Sequence, residues 1–177
     1  MMNIIRIIKN LILLSILWIS NSYADVVINV TAEMMAPACD IRSNNNSTPL
    51  NISFGSQNID VVNKSTVFRE FPLYLSNCDF RKNMAIVLTP NTGKSIDYNG
   101  KPVLETSISN LGINFNDITG GTVKSLEVGQ SKRITPEKVN DTEYRIDLQA
   151  DLVSTIPPEK LAPGKFTASM TVQIVYD

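Results

Sequence analysis

Residues 164–177 read GKFTASMTVQIVYD. Phe166, Ala168, Met170, Val172, Ile174 and Tyr176 fall on one face, and Thr167, Ser169, Thr171, Gln173 and Val175 on the other. A period of two places successive side chains on opposite faces of a strand. Gly164, after Pro163, supplies the turn that starts it. A long strand with one apolar face needs neighbours on both edges, or it becomes a template for aggregation. Read as the end of the chain, Asp177 leaves no following segment to cover this strand. A neighbour is therefore expected from earlier in the chain or from another molecule. The plainer alternative is an ordinary last strand that the topology places in mid-sheet.

Working back from this strand, other stretches have the same period. Residues 25–38, DVVINVTAEMMAPA, alternate Val26, Ile28, Val30, Ala32 and Met34 against Val27, Asn29, Thr31, Glu33 and Met35. Pro37 ends the pattern because it cannot donate to a ladder. Leu50, Ile52 and Phe54 alternate up to Gly55 and predict a short strand. Strands are also predicted over 66–78, 84–90, 111–117 and 144–153. Pro72, inside the first of these, implies a bend, bulge or sheet edge. Residues 91–102, rich in Asn, Gly, Lys and Pro, read as a loop. Gly120-Gly121 marks a turn, and Pro157, Pro158 and Pro163 stiffen the connection into the last strand. No window has a sustained helical stripe. Many short strands with Gly, Pro and Asn turns predict an all-β sandwich.

Composition narrows the chemistry. The chain has 177 residues, enough for one domain with its own core, and a net charge of −1. Neither a basic excess for nucleic acid nor an acidic tail is present. There is no His, so Ser-His and Cys-His catalysis and His-ligated metals are excluded. Two cysteines cannot build a four-thiolate zinc site. No phosphate-binding Gly-rich loop, nucleophile elbow or metal-ligand spacing occurs. Asp147 and Asp151 would share one strand face, where they read as a solvated surface. Asp60, Asp97 and Asp117 sit in turn-like contexts, where Asp bonds to nearby backbone. Asn-x-Ser/Thr triplets begin at Asn29, Asn45, Asn46, Asn51, Asn63 and Asn140, and matter only if the host glycosylates exported proteins. The residues point to no enzyme, no cofactor and no nucleic-acid partner.

The first 24 residues read as a cleaved secretory signal. Arg6 and Lys9 precede the apolar run Leu11–Ile19, and Ser22-Tyr23-Ala24 presents small residues at the −3 and −1 positions. An uncleaved anchor is the alternative, but the run is shorter than the roughly 20 residues that span a bilayer. Export makes Cys39 and Cys78 most simply a disulfide, with two free thiols as the alternative.

These features together resemble the pilin subunits of the chaperone–usher (type 1 and P pilus) family. The signal is followed by an alternating arm that ends in Ala36-Pro37-Ala38-Cys39. Cys78 closes the strand Pro72-Leu73-Tyr74-Leu75-Ser76-Asn77-Cys78. Leu111–Phe115 follow in mid-chain, and the last strand opens with Gly164 and has Tyr176 second from last. The resemblance covers the whole mature chain. It implies an incomplete immunoglobulin-like β-sandwich that lacks its last strand, with an N-terminal donor-strand extension over 25–38 and the pilin domain over 39–177. It also implies a hydrophobic groove beside Phe166, Ala168, Met170, Val172, Ile174 and Tyr176. A periplasmic pilus chaperone fills this groove first, and the arm of another pilus subunit then replaces it at an outer-membrane usher. Val26, Ile28, Val30, Ala32 and Met34 would be the inserted face, and Asp177 would anchor to the chaperone. The opposite face would carry Asn29 and Glu33 into an apolar groove, which is costly unless they are paired. Burying the even-numbered face gives an upper bound of about 10 kcal/mol before ordering costs. The family usually has Gly where Ala32 falls.

The function implied is that of a structural subunit of an adhesive fimbria at the cell surface, inside the fibre as a rod unit or, the reading favoured, a minor tip or adaptor unit, with a terminating subunit as the alternative. The alternative from another class is a self-contained secreted β-sandwich binding module, for example one for carbohydrate. That reading leaves unexplained why apolar alternating strands stand at both ends.

Overall fold

A computed structural model of the chain describes residues 39–44, 46, 49–64 and 67–176. The expected signal, the arm over 25–38 and Asp177 lie outside the described residues. Among the described residues there is no α-helix, only three short 3-10 turns. None of their helices is long and apolar enough to cross a membrane.

The strands are β1 (Asp40–Ser43), β2 (Phe68–Ser76), β3 (Met84–Pro90), β4 (Ser95–Tyr98), β5 (Lys101–Glu105) and β6 (Leu111–Asp117). They continue as β7 (Lys124–Leu126), β8 (Ser131–Ile134), β9 (Glu137–Lys138), β10 (Glu143–Ser154) and β11 (Met170–Tyr176). The larger sheet runs β1-β2-β10-β6-β5-β4, with β7 beside β6 and β9 beside β10. The smaller sheet runs β11-β3-β8. All pairings are antiparallel.

Alternation builds the core. Phe71, Leu73 and Leu75 of β2 and Ile146, Leu148, Ala150 and Leu152 of β10 are buried on one face of the larger sheet. They meet Met84, Ile86 and Leu88 of β3, Ile134 of β8 and Ile174 of β11 in one cluster. Each fully buried Leu or Ile contributes about 1.5–3 kcal/mol. Strands β3 and β6 match the sequence expectation residue for residue. Pro72 lies one position beyond the β1–β2 register, which ends at Ser43↔Leu73. On that side β2 has no strand neighbour at Pro72 among the described residues, so the expected edge position is found there.

Three expectations are corrected. Residues 91–102 are not all loop: β4 and β5 form a hairpin around Asn99-Gly100, with φ of 54° and 78°. Two consecutive positive φ values are the requirement of a tight two-residue hairpin turn, which Asn-Gly meets at little cost. Residues 50–54 are not a paired strand. Their alternation survives, with Leu50 and Ile52 half-buried, Phe54 buried, and Asn51 and Ser53 exposed. The last strand begins at Met170 rather than near Gly164. Its ladder partner β3 ends at Pro90, opposite Met170. Thr167 and Ser169 bond instead to Ser107 and Asn91.

Candidate functional site

Strand β11 stands at the end of the smaller sheet and pairs only with β3 among the described residues. Its inner face is apolar: Ile174 is buried, and Met170 and Val172 are half-buried against the core cluster. Thr171 and Gln173 point outward and are exposed. The other end of the same sheet is β8, four residues long, with Ser131, Lys132 and Arg133 exposed. Short length and charge are how proteins blunt an edge against pairing. Edge β8 is blunted in this way. Edge β11, with seven residues and no charged residue, is not.

Phe166 leads into β11, half-buried, and packs against both the main cluster and a smaller one around Val62, Leu111 and Leu161. Its ring centroid lies 6.2 Å from that of Phe54. Leu50, Ile52 and Phe54 therefore belong to the same apolar surface as Phe166, Met170 and Val172. Two extended stretches, 50–54 and β11, each turn alternate apolar side chains inward. Neither has a strand on its outer edge among the described residues. The arrangement can accept an extended segment whose alternate side chains are apolar. Backbone bonds would give strength, and the inward positions would give register.

The expected site residues sort as follows. Phe166, Met170, Val172 and Ile174 share the inner face. Ala168 is exposed, in the stretch before β11. Tyr176 is 37% exposed; its hydroxyl accepts from the Asp79 N–H, and the Lys82 ammonium lies 4.8 Å from its ring centroid. Val26, Ile28, Val30, Ala32, Met34 and Asp177 lie outside the described residues. Cys39 and Cys78 form a disulfide with a Cα–Cα distance of 4.5 Å. It joins the residue before β1 to the loop after β2. Sequence reading missed the role of 50–54. The alternation was visible, but nothing in it distinguishes a paired strand from an extended wall.

The acidic residues behave as structure. Asp147 pairs with Arg145 at 3.1 Å, not with Asp151. Asp151 accepts from Asn116 at 2.8 Å and also from Asn114. Burial pushes the Asp151 carboxyl above its usual range, and these two amides partly offset the shift. Asp117 accepts from the Thr119 N–H at 3.0 Å and Asp97 from the Gly100 N–H at 3.0 Å, both as turn residues. At Asp60 the capping is reversed: the Asp60 N–H donates to the Asn58 side chain. Among the described residues no group of His, Cys, Asp or Glu is placed to hold a metal ion.

The family model described as "Fimbrial protein" matches residues 28–177. No curated protein matches the chain. Among solved structures, the P pilus rod subunit PapA is similar at 17% identity and a TM-score of 0.56, over 79% of this chain and 99% of that one. A structure of a chaperone–usher pilus, described for the molecular basis of rod uncoiling, is similar at 17% identity and a TM-score of 0.56. It covers 90% of this chain and 98% of its own. At these identities the structural likeness establishes the immunoglobulin-like pilin fold.

Proposed function

Since the chain belongs to the fimbrial protein family, we propose that it is a structural subunit of an adhesive fimbria, built by exchange of donor strands. The observation that carries this reading is the edge of β11, uncharged and apolar on its inner face, beside which no strand stands among the described residues. In the proposal, residues 1–24 direct export to the periplasm. A periplasmic chaperone occupies the edge first, held in part by Asp177. At an outer-membrane usher, the arm of another subunit replaces it and completes the sandwich. The subunit thereby joins a surface fibre that contributes to adhesion.

The chemistry is strand addition, with no covalent step. The arm's backbone pairs along β11. Val26, Ile28, Val30, Ala32 and Met34 occupy the gap bounded by Phe54, Phe166, Met170 and Val172. Burying a run of apolar side chains together with a strand's worth of backbone bonds makes a joint that opens slowly, because affinity differences appear mainly in dissociation.

Complementation tests the reading. Val30→Asp puts a charge on the inserted face and should abolish donation. Val172→Asp puts one in the gap and should abolish acceptance. Each variant alone should fail to polymerise. Mixed, they should give a discrete dimer, the arm of the Val172→Asp chain seated in the intact gap of the Val30→Asp chain. Polymerisation of either variant by itself would overturn the reading.

A further inference from the structure

Residues 50–54 line the same apolar surface as Phe166, Met170 and Val172, yet have no ladder partner among the described residues. A strand without neighbours has carbonyls to satisfy and little to fix its position. Here a single side chain supplies both. Arg69, in β2, donates from Nε to the Ser53 carbonyl at 2.9 Å and from Nη2 to the Phe54 carbonyl at 2.7 Å. Its Nη1 donates to the Phe68 carbonyl at 2.7 Å, which fixes the guanidinium against its own strand. The same group lies 5.7 Å from the Phe54 ring centroid. Gln57 adds a further donor to the Phe54 carbonyl.

The fork geometry matters. A guanidinium presents donors in a fixed plane and cannot be deprotonated in a protein, so it can hold two successive carbonyls, where a neighbouring strand's amides would reach only every second one. A lysine ammonium is a single point donor on a flexible stem. Phe54 is the residue so held, and its ring packs against that of Phe166, centroid to centroid 6.2 Å.

We propose that Arg69 is a positioning residue for strand acceptance. It clasps the 50–54 wall so that the gap stands preformed when an arm of a second copy arrives. The inference rests on the donor-strand reading above and adds a residue to it. A preformed wall spares the incoming strand the cost of ordering its own socket. Without the clasp, the wall moves, and the arm binds more slowly and less tightly.

The test uses the full chain carrying Val30→Asp, so that it accepts but does not donate. The probe is a fluorescent peptide of residues 25–36. Arg69→Met should weaken peptide binding by about 10-fold, through loss of preorganisation. Arg69→Lys, which keeps the charge and loses the fork, should recover only part of it. In the peptide-free chain, Arg69→Met should speed hydrogen exchange at residues 50–57 and leave β3 and β6 unchanged. Saturating peptide should restore the original exchange.

Unchanged affinity and unchanged exchange at 50–57 would overturn the clasp while leaving strand acceptance intact. Exchange that rises throughout the sandwich would also overturn it, because Arg69 would then be a general stability residue. Arg69→Lys, the milder change, decides the matter if Arg69→Met does not fold. If the chain with Arg69 intact binds no peptide, the donor-strand reading falls, and the clasp's role in acceptance falls with it.

Discussion

The hydroxyl of Tyr176 accepts a hydrogen bond from the backbone N–H of Asp79 at 2.6 Å. Asp79 follows Cys78, whose disulfide partner Cys39 immediately precedes β1. The end of β11 is thus tied to the cross-linked pole of the sandwich. Removing the acceptor by Tyr176→Phe leaves an exposed N–H that water satisfies, so the cost should be small, about 0.5–1.5 kcal/mol. Urea unfolding should register that loss, and an unchanged midpoint would show that the contact contributes nothing.

The disulfide should matter more. It closes a loop with a sequence separation of 39. In the chain-entropy account such a cross-link is worth about 4 kcal/mol. The double variant Cys39→Ser, Cys78→Ser should lose most of that in denaturant unfolding. Reduction of the native chain should reproduce the loss.

Gly112 in β6 is tightly enclosed. A methyl added there would meet Val103 Cγ2 at 2.8 Å and Ile96 Cδ1 at 3.0 Å. Val103 is β-branched and stiff, and the Leu104 carbonyl is close behind at 3.2 Å. Gly112→Ala should therefore destabilise by about 1–3 kcal/mol through overpacking. The β4–β5 hairpin, which carries Ile96 and Val103, should show the fastest hydrogen exchange in that variant.

Asp151 sets a pH dependence. Its carboxyl is raised above the ordinary 3.8, chiefly by burial. The folded state therefore holds this proton more tightly than the unfolded chain does. Its penalty is absent below the unfolded value and is complete once pH exceeds the folded one, so this group lowers stability as pH rises through that window. Asp151→Asn keeps an acceptor and the shape and removes the charge. It should be more stable than the native chain at neutral pH and no more stable at pH 3. Equal stability at both pH values would contradict the assignment.

What the sequence disclosed follows from which signals are local. Strands β3 and β6 were legible to the residue because Met84–Pro90 and Leu111–Asp117 are bounded by clear turn residues. The inner face of β11 was legible from its period of two. Its starting point was not, because the ladder stops where β3 reaches Pro90, a fact about another segment. The β4–β5 hairpin was hidden by polar composition, although Asn99-Gly100 between Tyr98 and Lys101 is a strong hairpin signal. Leu50, Ile52 and Phe54 had the right alternation, but pairing depends on what lies beside them. Arg69 could not be picked out at all: that its guanidinium reaches Ser53 and Phe54 is settled only by the fold.

The most direct test of the central claim compares two oxidised chains by thermal unfolding and sedimentation. One contains residues 37–177. The other is the same segment with residues 25–36 appended after Asp177 through a flexible linker. If β11 borders a gap that an arm completes, the appended strand should turn an unstable or associating chain into a monomer with a much higher melting temperature. A stable monomer from 37–177 alone, unaltered by the added strand, would contradict the account.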